Sequence, residues 1–132
     1  MRAREAYEMS LALINERDVE GDYHSDTADF EKNAHLIINM IIPRLWHNDC
    51  LVRGISPKNY RYAFEPLESL DEEIPLHVSV CSLVPFLLAS LLIREEDEKR
   101  AEFFRYMFES AESRLLSGFS SAEHKSVVDV YS

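Results

Sequence analysis

The chain has 132 residues, 46% of them hydrophobic, and carries 24 acidic against 14 basic side chains for a net charge of −10. That length fits one domain with one core, and the acidic balance disfavours wrapping nucleic acid or lying on an anionic membrane, since both need a cationic surface. Three glycines and five prolines are too few for a sandwich or barrel built from many tight turns.

Residues 2–16 read as a first helix, with Ala6, Met9, Leu13 and Ile14 on one stripe. The sequence runs into this charged amphipathic pattern directly, which predicts no secretory leader. A polar loop follows from Glu16 to Thr27. Ser25, Asp26 and Thr27 are successive N-cap candidates for a second helix, and Asp29 and Glu31 suit its first turn, where the helix dipole favours negative charge. Phe30, Ala34, Ile37, Ile38, Ile41 and Leu45 form its stripe, widened by Leu36, Met40 and Ile42. Pro43 predicts a kink before the helix ends near Trp46 or Asp49.

Residues 50–75 form a long connection broken by Gly54, Pro57, Pro66 and Pro75. Tyr60, Tyr62 and Phe64 alternate as in a strand or extended arm. Such a loop is usually functional. A third helix is expected over Pro75 to Arg94, with Pro85 inside it. Leu76, Val78, Val80, Leu83, Val84, Phe86, Leu87, Leu88, Leu91, Leu92 and Ile93 leave it no polar face. A helix apolar all round must be buried all round. The chain has few elements to cover it, which predicts surface hidden against copies of itself or partners. His77, Pro85, three serines (Ser79, Ser82, Ser90) and acidic flanks argue against a membrane span.

Asp97 is a cap candidate for a fourth helix from Glu98 to about Ser117, with Ala101, Phe104, Phe108, Ala111 and Leu115 as its stripe and Gly118 as its stop. The third and fourth helices then form an antiparallel hairpin. Lys99, Arg100, Arg105 and Arg114 line the fourth helix, while acids dominate helix starts and loops. Opposite-signed surfaces suit head-to-tail contact between identical subunits. The remaining residues form a tail in which Val127, Val128, Val130 and Tyr131 have strand character without an internal partner. The expected organisation is an all-α domain, a small bundle of about four helices over residues 1–118, with a long central loop and an extended tail over 119–132.

Chemistry-bearing groups are sparse. His24, Asp26 and Asp29 precede the second helix, His35 lies within it, and His47, Asp49 and Cys50 close it. No HExxH or CxxC spacing accompanies them, so they read as caps and surface polar groups, and no metal or cofactor is expected. Glu68, Asp71, Glu72 and Glu73 read as a solvated acidic rim, with Ser69 and Glu72 matching a capping box. Ser82 and Ser90 are expected to bond back to carbonyls of their own helix, and Trp46 to anchor core or interface. Cys50 and Cys81 lie in different elements, which predicts buried, reduced thiols in a cytoplasmic setting. No catalytic motif is present, and no catalytic residue is assigned.

Several segments together resemble the head–tail connector proteins (adaptor or head-completion proteins) of tailed phages and prophages of Gram-positive bacteria. They are Ala3-Arg-Glu-Ala-Tyr-Glu-Met9, Gly21-Asp-Tyr-His-Ser-Asp-Thr-Ala-Asp29 and Asn33-Ala-His-Leu-Ile-Ile-Asn-Met-Ile-Ile-Pro43. Phe64-Glu-Pro-Leu-Glu-Ser-Leu-Asp-Glu-Glu-Ile-Pro75 with the following apolar helix, Phe103-Phe-Arg-Tyr-Met-Phe-Glu109 and Asp129-Val-Tyr131 continue the likeness over most of the chain. Glu98 departs from it, standing where proline is expected after the helix-breaking aspartate. The resemblance implies an all-α, non-enzymatic subunit without cofactor. Such a subunit assembles into a ring under the portal and extends the DNA channel. Its partners are then its own copies and portal or tail components. Its setting is the host cytoplasm during assembly and the head–tail junction of the virion. Tyr60, Tyr62, Phe64, Val127, Val128, Val130 and Tyr131 are the candidate interface residues. Two other readings fit the same residues: a bacterial helical interaction module that buries its helices in a regulatory dimer, and a small metal-dependent enzyme using the region from His24 to Cys50.

Overall fold

The computed structural model describes residues 1–15, 27–56 and 64–131, with only the helical backbone given for 15, 27–29 and 120–131. The described residues form an all-α bundle: α1 (Ala3–Asn15), α2 (Thr27–Arg53), the single turn α3 (Val78–Cys81), α4 (Val84–Ile93) and α5 (Glu98–Tyr131). Helix α4 is the centre, packed by α1, α2, α3 and α5. Its Val84, Leu87, Leu88, Ala89, Leu92 and Ile93 are buried, and Phe86 and Leu91 are half-buried against the same core. The central position expected for this apolar segment is therefore observed. The expectation that copies of the chain or partners are needed to cover it is not, because α1, α2, α3 and α5 of one subunit pack around α4.

The third helix is two helices rather than one. Pro85 lacks an N–H, and α4 begins around it, where that N–H has no intrahelical partner to find. Upstream, the Nδ1 of His77 accepts from the Ser79 N–H (3.1 Å) and caps α3. The Ser82 hydroxyl donates to the Ser79 carbonyl (2.7 Å) as expected. That of Ser90 instead crosses to the Ala101 carbonyl of α5 (2.7 Å). Between these helices, Asp97 Oδ1 accepts from the Arg100 N–H (3.1 Å), fulfilling its cap assignment.

Helix α1 buries Ala3, Ala6, Tyr7, Ser10 and Ile14, while Met9 lies outside. Small side chains at positions 3, 6 and 10 let α1 press closely on α4, and this turns the helix away from the stripe that larger residues suggest. Helix α2 continues through Pro43 to Arg53 and ends in a Schellman motif. Gly54 has φ +69°, and the Ile55 and Gly54 N–H groups donate to the Cys50 and Leu51 carbonyls (2.9 and 3.2 Å).

The connection after α2 belongs to the core where it is described. Leu67, Leu70, Ile74 and Leu76 are buried. The side-chain amide of Asn39 clasps Leu67, donating to its carbonyl (2.9 Å) and accepting from its N–H (2.8 Å). The Ala3 and Arg4 N–H groups donate to the Glu72 and Leu70 carbonyls (2.9 and 2.7 Å), so the loop satisfies the otherwise orphaned donors at the start of α1. Ser69 and Glu72 do form a capping turn: Glu72 accepts from the Ser69 N–H (2.9 Å) and Ser69 Oγ from the Asp71 N–H (3.3 Å). The turn does not develop into a helix.

The chain from Phe119 to Tyr131 is a continuation of α5, not an extended tail or strand. Gly118 does not stop the helix; its exposed position in open space places no packing constraint there, and a helix tolerates one glycine at about 1 kcal/mol relative to alanine. A pairing of this segment with Tyr60–Phe64 as strands is excluded by its helical backbone.

Candidate interaction surfaces

The groups singled out for chemistry do not converge. Cys50 and Asp49 are buried, whereas His47, on the same turn of α2, is exposed. Among the described residues no three His, Cys, Asp or Glu side chains stand close enough to hold a metal ion. His24 and Asp26 lie outside the described residues, as does the side chain of Asp29. Asp49 serves the fold: its carboxylate accepts from the His77 N–H (2.7 Å) and from Arg53 Nε (2.9 Å), tying the end of α2 to the start of α3. Cys50 and Cys81 are unbridged and buried. Burial pushes both thiols above the ordinary range, which keeps them protonated and unreactive.

The acids of the loop are exposed and mostly engaged locally. Asp71 pairs with Arg4 (3.0 Å), and Glu73 with the Met1 amino group (3.2 Å) and Arg2 (3.7 Å). On the opposite flank Glu112 of α5 receives Arg44 through both carboxylate oxygens (3.0 and 3.1 Å) and Asn48 Nδ2 (2.8 Å). Burial alone would raise the Glu112 pKa, but the bonds from Arg44 and Asn48 outweigh it and hold the carboxyl below its usual range. Arg44 also lies over the Phe108 ring, 5.4 Å from its centre.

What the surface offers is apolar area. From Asn33 to Pro43 helix α2 carries no charged residue, and Leu36, Met40, Pro43 and His47 recur along its outer face. Leu36 is 54% and Met40 72% exposed. On α5, Phe103 is 39% and Tyr106 67% exposed. A cleft of about 510 Å³ opens between α2 and the turn after α4. Phe30, Ile37, Leu91 and Leu92 floor it, and Asn33, Arg94, Glu95 and Glu96 edge it.

Of the interface residues expected from sequence, Tyr60 and Tyr62 lie outside the described residues. Phe64 is half-buried against the subunit's own core. Val127, Val128, Val130 and Tyr131 belong to the last turns of α5, with side chains outside the described set. The exposed Leu36 and Met40 of α2 escaped sequence reading because they were absorbed into an over-wide core stripe. The signal available was the width itself: a stripe broader than one face has a part that its neighbours cannot cover. Among the described residues no helix is long and apolar enough to cross a membrane. Comparison of the chain with protein-family models, curated proteins and solved structures finds no match.

Proposed function

We propose that this chain is a non-enzymatic structural subunit of the head–tail connector type, which self-assembles and docks on a portal or tail component of a tailed phage or prophage. The observation that carries the reading is the pair of exposed apolar faces, on α2 and on α5, of a subunit whose core is already complete. Large exposed apolar patches on a folded subunit mark surfaces that other proteins cover. The sequence resemblance supplies the phage setting. The acidic balance supports the further proposal that the assembled subunits line a path for DNA without binding it. The subunit acts in the host cytoplasm during assembly and at the head–tail junction of the virion. The end of α5, carrying Val127, Val128, Val130 and Tyr131, is the arm proposed to reach the portal.

A closed regulatory dimer is the second reading. It is favoured by one observation, the straight uncharged row Leu36, Met40, Pro43 and His47, which a two-fold partner can bury against its own copy. Light scattering over a concentration series, followed by electron microscopy, separates the two. Rings or masses of several subunits support the connector reading; a mass of two that stops there, abolished by Met40→Glu, supports the dimer. A protein monomeric at all concentrations, alone and with portal, counts against both.

A further inference from the structure

The exposed row on α2 has a spacing and an order that point to its partner. Asn33, Leu36, Met40, Pro43 and His47 follow one another at intervals of three, four, three and four residues. That alternation has the period of about 3.5 residues found in a coiled-coil seam, the pattern by which one helix lies along another. All five side chains are exposed, so no described helix of the same subunit fills the seam.

The row also reads alike from both ends. Asn33 and His47 each lie seven residues from Met40, and Leu36 and Pro43 lie four and three residues from it. Set end for end against a second copy, Met40 meets Met40, Leu36 meets Pro43 and Asn33 meets His47. Apolar groups then face apolar ones, and an amide faces an imidazole with which it can share a hydrogen bond. A face that packs on itself must also be free of charge at its centre, because a charge there meets its own copy. From Asn33 to Pro43 the helix has none, in a chain of which 29% is charged. The flanking cations do not oppose the contact. Arg44 is held by both carboxylate oxygens of Glu112, and Lys32 falls about 24 Å along the helix axis from its symmetry copy. A different protein as partner would require neither the symmetry of the row nor its lack of charge.

We propose that α2 pairs antiparallel with α2 of a second copy of this chain, across a two-fold axis at Met40. The contact is isologous and closes at two copies. It rests on the self-association that both functional readings share and assigns its surface. In the dimer reading this pair is the whole assembly. In the connector reading it is the building unit, and Phe103 and Tyr106 of α5 remain exposed for the next contact.

The test places opposite charges at one position, Met40→Glu and Met40→Lys, in the full-length protein, with mass read by light scattering. Met40 is 72% exposed, so neither change is expected to alter circular dichroism or melting temperature. Each variant alone sets like charges across the axis and is expected to weaken association by about tenfold or more. Mixed in equal amounts, the two are expected to recover it as a pair with one copy of each, identified by native mass spectrometry. Recovery requires that position 40 meets position 40. Where two different surfaces meet, two variants of the same position do not rescue each other. If the wild type associates and either variant associates as tightly, or the mixture stays dissociated, the pairing is overturned while self-association stands. A wild-type chain that stays monomeric at all concentrations overturns both.

Discussion

Asp49 shows how one side chain can hold a junction. It is fully buried at the end of α2 and receives both the His77 N–H and the Arg53 guanidinium. Asp49→Ala leaves the half-buried His77 N–H without its carboxylate acceptor and is expected to cost about 1–3 kcal/mol, read as a lower urea midpoint at unchanged slope. Glu112 gives a pH-dependent counterpart. Its folded-state pKa lies below the usual carboxyl range, so the folded protein binds this proton less readily than the unfolded chain. The stabilisation is complete above the unfolded pKa and is lost as pH falls through the folded one. The stability gap between wild type and Glu112→Gln is therefore expected to be open at about pH 7 and to narrow toward about pH 3. A gap of constant width across urea titrations at several pH values would show that the Arg44–Glu112 contact has no linkage to folding.

Among elements, α4 is the one the rest are built around. Its enclosure by α1, α2, α3 and α5 makes each buried apolar position sensitive to truncation. Leu87→Ala is expected to cost about 2–5 kcal/mol, transfer and cavity terms together. A loss below about half a kcal/mol, the range of surface substitutions, would remove α4 from the centre. The described part of the α2–α3 loop behaves as an element of the same core, because it caps α1 and is clasped by Asn39. Asn39→Ala is expected to speed amide exchange at Leu67 well before global unfolding, since that N–H loses its side-chain acceptor.

At the scale of the whole subunit, stability is concentrated at one end of α5. Among its described side chains none beyond Phe108 is fully buried, although Ala111 and Leu115 still pack against the core. Deleting residues 120–132 is expected to leave the melting temperature nearly unchanged and to lower the helical ellipticity, since a stretch of helix is removed. Docking to a portal component is expected to weaken. Unfolding of the truncated chain in a thermal scan would place the arm in the core and defeat its proposed role as an assembly device.

Periodicity and composition by themselves determined that this chain is helical, that the segment around Leu87 and Leu88 is its centre, and that Asp97 opens the last helix. Those features are local: the spacing of apolar residues and the chemistry of a cap act within a few residues of chain. Tertiary structure alone decided which apolar residues stay outside. Met9, Leu36 and Met40 have the composition of core positions, but α1 turns on its small residues and, among the described residues, nothing covers the face of α2 remote from α4. It also decided that the loop after Phe64 folds into the body, because the donors it satisfies belong to α1, more than sixty residues away. Strand propensity at Val127–Tyr131 yielded for a related reason. A β-branched run has no intrinsic claim to a strand without a partner edge, and here the helix already formed by α5 carries the backbone hydrogen bonds onward through it.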